Sequence, residues 1–271
     1  MVRDVTLGQF MPGNSIIHSL DARSKILLLI AYIVFIFIAK NYLSLLIITA
    51  ASLLVIFSTK IKFKFYLKSM KVILFVVLFT GILNIFYGSG EVLWQLGFVK
   101  ITEGGINNAI FVTIRIATLV LISSVLTFTT SPSDLTDGLE RILKPLTVFH
   151  IKVHEIAMMM TIALRFIPVL LEETDKIMNA QKARGADMES GNVFQRIKAL
   201  IPVLIPLFVS SFRRANDLAT AMECRCYHGG SGRTRMKVLR FSILDLFALT
   251  FSLIIFVGVI LCNIYIPATL R

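Results

Sequence analysis

A chain that carries several uninterrupted apolar runs has little choice of fold. Residues 26–57 are largely apolar apart from a break at Lys40-Asn41, and further runs cover 70–87, 106–128 and 241–264. A hydrocarbon core about 30 Å thick is crossed by about 20 apolar residues in a helix. In lipid, backbone polar groups are satisfied only within helices or closed barrels. These runs are continuous rather than alternating, which argues against a barrel. The expected fold class is therefore all-α: a polytopic membrane protein with about five transmembrane helices. The chain is 56% hydrophobic with a mean hydropathy of +0.81, above an ordinary soluble domain.

The run 26–57 is too long for one span. It divides into helices 25–39 and 42–58 joined by a tight turn, with Lys25 and Lys40 able to snorkel. Ahead of it, Pro12-Gly13-Asn14-Ser15 signals a turn, and Asp21 or Ser19 is placed to cap the first span. Lys60, Lys62, Lys64, Lys68 and Lys71 follow without an acid and mark a cytoplasmic loop. Residues 88–105, with several glycines and few charges, read as an outer loop. Alternation then places the N-terminus inside and the C-terminus outside. Arg115 lies well inside an apolar run, where it is either a functional charge or one that pairs within the bundle.

Residues 129–240 differ in texture. They hold 16 of the 28 Lys/Arg and 11 of the 16 Asp/Glu, yet stay rich in large apolar side chains. That mixture predicts amphipathic helices lying against the membrane or against partners. Ser131 or Ser133 caps a helix that ends near Lys144-Pro145. A helix over 152–184 is kinked at Pro168, and another over 193–227 is disturbed at Pro202 and Pro206. The expected division is a cytoplasmic leading segment 1–24, a four-span bundle 25–128, cytoplasmic coupling helices 129–240 and a final span 241–266.

A net charge of +12 would suggest nucleic acid in a soluble protein. Here the positive charge sits in loops beside apolar spans, where the positive-inside rule explains it, so no nucleic-acid partner is expected. Cys224, Cys226 and Cys262 form no disulfide framework and read as free thiols. The segment from Met1 to Lys25 lacks the continuous apolar core of a signal peptide.

Catalytic patterns are incomplete. His150 and His154 have the spacing of two ligands on one helical face, but Met158 stands where a zinc-protease motif needs histidine. Cys224-x-Cys226-x-His228 lacks a fourth ligand. Gly229-Gly230-Ser231-Gly232 lacks the lysine of a phosphate loop. Glu172-Glu173 resembles the EExxxR pattern of some intramembrane proteases, but Ile177 occupies the arginine position. Neither a metal nor another cofactor is expected on this chain. Ala157, Met158, Met159, Met160 and Ala163 form either a deformable contact surface, since methionine adapts to varied partners, or plain core.

Two short stretches look like one device used twice. Ala183-Arg184-Gly185 and Cys224-Arg225-Cys226 each place an arginine at the end of a long helix, and each is preceded by a charged cluster. Arg184 puts a cation where the helix dipole favours it, and Gly185 can adopt the left-handed conformation that closes the helix. Cys226 enters that conformation less readily than glycine, which predicts that the second helix runs on toward Gly229-Gly230.

The pair resembles the two Ala-Arg-Gly motifs of the transmembrane T component of energy-coupling factor (ECF) transporters, the EcfT/CbiQ-like family. Pro12-Gly13-Asn14-Ser15-x-x-His18-x-Leu20-Asp21-x-Arg23-x-Lys25 is similar to that family's N-terminal signature, and the order of parts agrees over nearly the whole chain. Cys224 and Cys226 depart from its alanine and glycine. The resemblance implies a non-catalytic subunit of an ATP-driven importer in the cell membrane. Arg184 and Arg225 would dock into two ABC-type ATPase subunits, which bind the ATP and magnesium. The apolar faces of the coupling helices, with the methionine run, would hold an S component that captures a vitamin or other micronutrient. The departure at the second motif fits two non-identical ATPases. Two other classes remain open at this level: a membrane enzyme using His150, His154 and Glu155 or Glu172-Glu173, and a conventional ABC permease with its own substrate path.

Overall fold

A computed structural model describes residues 10–86, 92–96, 99–186, 192–229 and 241–266. The chain divides into two compact units, one within residues 8–139 and 238–271 and the other within 140–237, the boundary falling inside one helix.

The first unit is a helical bundle. It contains α1 (Ile16–Ser19), α2 (Ala22–Ile38), α3 (Tyr42–Ser58), α4 (Phe63–Phe86), a hairpin of β1 (Val92–Leu96) and β2 (Val99–Thr102), α5 (Glu103–Thr129) and the start of α6 (Pro132–Leu143). The last helix, α9 (Ile243–Tyr265), joins it. Asp21 caps α2 by accepting from the Arg23 amide at 2.9 Å, and Ser131 caps α6 by accepting from the Asp134 amide at 3.1 Å. Between the alternatives Asp21 or Ser19, and Ser131 or Ser133, the first of each pair carries the cap.

The spans expected at 25–39, 42–58, 70–87, 106–128 and 241–264 lie on α2, α3, α4, α5 and α9. At 17 residues each, α2 and α3 reach about 25 Å, at the short end for a bilayer. By length and composition α5 and α9 suffice to cross, as does α4 if its limbs Phe63–Lys71 and Ile73–Ile85, bent by 60°, count as one span. Two further helices described below also pass on length and composition. The fold is thus a helical, multi-pass membrane protein. One expectation is corrected: part of the supposed loop 88–105 is an antiparallel hairpin pairing Val92 with Thr102 and Leu96 with Val99. Its valines, isoleucine and threonine suit a pleated strand, and that preference prevails over the glycines on either side.

The bundle core joins Tyr32, Phe35 and Ile36 of α2, Ile48 and Ile56 of α3, Tyr66 of α4, Leu121, Val125 and Phe128 of α5, and Ile255 and Val259 of α9. Phe35 stacks on Phe256 at 4.9 Å and Tyr66 meets Phe128 edge-on at 5.2 Å. α4 and α5 approach closely at Gly105, where a Cβ would sit 2.5 Å from the Ile85 carbonyl oxygen.

Polar side chains seal the helix ends. Arg115 donates to the Ala39 carbonyl at 2.7 Å and lies 4.7 Å from the Phe111 ring centre. Its charge therefore serves an orphan carbonyl at the C-terminus of α2, the within-bundle role of the two left open by the sequence. Asn263 of α9 donates to the Ile38 carbonyl at 2.9 Å, and Asn41 donates to the carbonyls of Cys262 and Ile266 at 2.9 and 2.8 Å. At the other end of α9, Asp245 is buried, accepting from the amides of Asp21 at 3.0 Å and Ser242 at 2.7 Å.

The residues of the N-terminal signature work in the same clasp. His18 bridges Ser15 and the Met11 carbonyl, Arg23 pairs with Asp21 at 2.6 Å and lies over Phe241, and Lys25 donates to the carbonyls of His18 and Thr129. Met11 donates its amide to the Phe128 carbonyl at 2.9 Å.

The second unit holds the end of α6, a 3₁₀ turn (Lys144–Phe149), α7 (Val153–Ala183) and α8 (Val193–Glu223). Both long helices contain proline, Pro168 in α7 and Pro202 and Pro206 in α8. Pro206 has no amide hydrogen for the Pro202 carbonyl, four residues earlier. Gln181 of α7 donates to that carbonyl instead, in a long hydrogen bond of 3.5 Å.

Candidate functional site

Both arginines are helix C-caps, and the two helices close in the same way. In α7 the Gly185 amide donates to the Lys182 carbonyl at 3.0 Å, and the Ala186 amide to Gln181 at 3.0 Å. In α8 the Cys226 amide donates to Glu223 at 2.8 Å, and the Tyr227 amide to Met222 at 3.0 Å. Each pair is a Schellman closure, with one bond from the residue after the cap and one from the next. The residue after the cap is left-handed in both: Gly185 at φ +86° and Cys226 at φ +55°. The expectation that Cys226 would push the helix end toward Gly229-Gly230 is thus corrected. α8 ends at Glu223, and the two closing hydrogen bonds outweigh the roughly 1–2 kcal/mol that a side chain costs in this conformation. Residues 230–240, including most of the glycine loop, lie outside the described residues.

Ala183, Arg184, Gly185, Cys224, Arg225 and Cys226 are all exposed, and neither guanidinium pairs with a described residue. Each tip offers a fork of donors at the negative end of a helix, a geometry suited to carboxylates or carbonyls on a partner.

The charged clusters upstream separate into roles. Glu172 is exposed, whereas Glu173 of α7 accepts from Arg214 of α8 at 2.5 Å and from the Ser210 hydroxyl. One of the two glutamates considered for proteolytic chemistry is therefore committed to joining helices. The histidine pair is also divided. His150, at φ +62°, ends the 3₁₀ turn before α7 begins, while His154 lies in the first turn of α7 at 3.0 Å from Glu140. They share no helical face, and among the described residues no three His, Cys, Asp or Glu side chains converge as a metal site would require.

The methionine run is split by the helix period. Ala157 is buried and Met158 half-buried, while Met159, Met160 and Ala163 are exposed on one face with Ile156. On α8 the sequence reading missed a longer stripe: Phe194, Ile197, Ile201, Leu204, Phe208 and Phe212 are all exposed. Their spacing of three and four residues was the available signal.

A bundle of apolar helices, with two arginine-tipped helices beside it in sequence, defines a multi-pass membrane protein. The comparisons give the family. Residues 13–238 match the family model described as "Cobalt transport protein", CbiQ. The chain is 52% identical over 261 residues to the energy-coupling factor transporter transmembrane protein EcfT of Ruminiclostridium cellulolyticum, covering 96% of this chain and 98% of that one. It is 45% identical over 240 residues to the EcfT of Bacillus subtilis, covering 88% and 91%. The chain belongs to this EcfT/CbiQ family and is the transmembrane (T) component type of an ECF transporter.

Proposed function

We propose that this chain couples ATP hydrolysis by partner subunits to micronutrient uptake across the cell membrane. Arg184 and Arg225 each dock into one of two ABC-type ATPases, which carry the ATP and magnesium. Ala183, Gly185, Cys224 and Cys226 shape the two tips. The N-terminal segment and residues 129–240 lie on the cytoplasmic side, and the bundle with α9 anchors the chain in lipid. α7 and α8, though apolar and long enough to cross, rest their exposed stripes on membrane-embedded partners. Met159, Met160 and Ala163, together with the α8 stripe, supply an adaptable surface for an S component that carries a vitamin or other micronutrient.

The observation that carries this reading is the repeated tip: two exposed arginines, Arg184 and Arg225, set on helix ends closed by the same pair of hydrogen bonds despite different flanking residues. A charge-assisted fork at each tip is worth about 1.5–3 kcal/mol, so one tip alone leaves partial assembly. Arg184→Glu or Arg225→Glu should lower the amount of ATPase copurified with the membrane-inserted chain by roughly tenfold or more. The double variant should abolish it while membrane insertion persists. Full ATPase association and transport in the double variant would remove the docking role. Cargo bound by the isolated chain would point instead to a permease.

A further inference from the structure

The Glu173–Arg214 pair occupies a position that its chemistry alone does not require. Glu173 precedes Arg184 by the same interval of sequence by which Arg214 precedes Arg225. The bridge between α7 and α8 therefore stands the same three turns from each tip, about 16 Å along either helix at 1.5 Å per residue.

Two contacts give the relative direction of the helices. Glu173 meets Ser210 and Arg214, and eight residues further along α7, Gln181 meets Pro202, eight residues before Ser210. Advancing along α7 moves backward along α8, so the two run antiparallel through the contact. Arg184 and Arg225 consequently extend in opposite senses from the bridge, with their helix ends up to about 33 Å apart if both helices ran straight.

We propose that Glu173, Ser210 and Arg214 form a pivot at the midpoint between the two tips, setting equal lever arms for the paired arginines. This rests on the docking role of Arg184 and Arg225. The contact holds register more firmly than apolar packing would. A carboxylate with one oxygen on a guanidinium and the other on a hydroxyl fixes where along each helix the other crosses. Apolar faces could slide by a turn, lengthening one arm as the other shortened. With the register fixed, displacement of one tip tilts both helices about the same point, and both tips respond. Arg214 is partly exposed, so the pair can yield and reform without the penalty of a fully buried charge. These are positioning residues, acting through the helices that carry the arginines.

The test uses the complete transporter, with ATPases and S component, in proteoliposomes, reading cargo moved per ATP hydrolysed. Glu173→Gln should lower that ratio at least threefold while ATPase subunits stay attached. The charge exchange Glu173→Arg with Arg214→Glu should recover at least half of it. An unchanged ratio in Glu173→Gln, a loss of assembly there, or a reduced ratio that the exchange fails to recover would overturn the pivot. Arg184→Glu with Arg225→Glu, measured alongside, separates the two readings. If the tips detach the ATPases but Glu173→Gln leaves coupling intact, only the pivot fails. If ATPases stay bound without either tip arginine, the docking role itself fails.

Discussion

At the scale of single residues, Cys226 shows how backbone demands prevail over side-chain preference. Its left-handed φ is imposed by the same two closing hydrogen bonds that Gly185 accommodates freely. Cys226→Gly should therefore raise the unfolding free energy by about 1 kcal/mol, visible as a higher melting temperature in detergent. The first tip was legible in the sequence because Ala-Arg-Gly names a helix former, a C-terminal cation and a left-handed closer in turn. The second was legible only in its arginine. Nothing about a cysteine announces a positive φ, and the glycines a few residues on offered a more obvious stop. Arg115 could be found by its isolation among apolar residues, but its partner could not. A main-chain carbonyl 76 residues away leaves no mark in composition or spacing.

At the scale of elements, apolar run length and caps located α2, α3, α5 and α9 to within a few residues, because in lipid the core-facing and lipid-facing sides are both apolar. Short strands are harder. The hairpin spanning 92–102 carries a brief β-rich segment between glycines, and local signals of loop and strand compete there. The contact between α7 and α8 was invisible for a different reason, since charge pairs between helices have no periodic signature. Helix–helix approach in the bundle depends on glycine at one point in particular. Gly105→Ala would set a Cβ 2.5 Å from the Ile85 carbonyl oxygen, forcing α4 and α5 apart. Such overpacking should cost about 1–3 kcal/mol, measured as a lower melting temperature in detergent, with the effect confined to stability.

At the scale of the whole molecule, the apolar bundle forms one unit and the helices that carry the two arginines another; on the proposed function the first anchors and the second engages partners. Anchoring depends on buried polar groups as well as apolar area. Asp245 is 1% exposed and accepts main-chain hydrogen bonds from two separate segments. Asp245→Ala should destabilise the protein by about 2–3 kcal/mol, since it leaves the Asp21 and Ser242 amides without their acceptor. Thermal unfolding of the purified chain in detergent would measure it, and the double substitution with Asn263→Ala should be close to additive because the two sites serve opposite ends of α9. The same arrangement has a bearing on biogenesis. α2 and α3 emerge from the ribosome well before the side chains of α9 that cover their polar ends, since nearly the whole chain lies between them. Insertion of the early helices therefore yields a half-finished object, whose maturation waits on the arrival of Asp245 and Asn263, and a translation arrest in that interval would hand the membrane proteases a substrate with its seams still open.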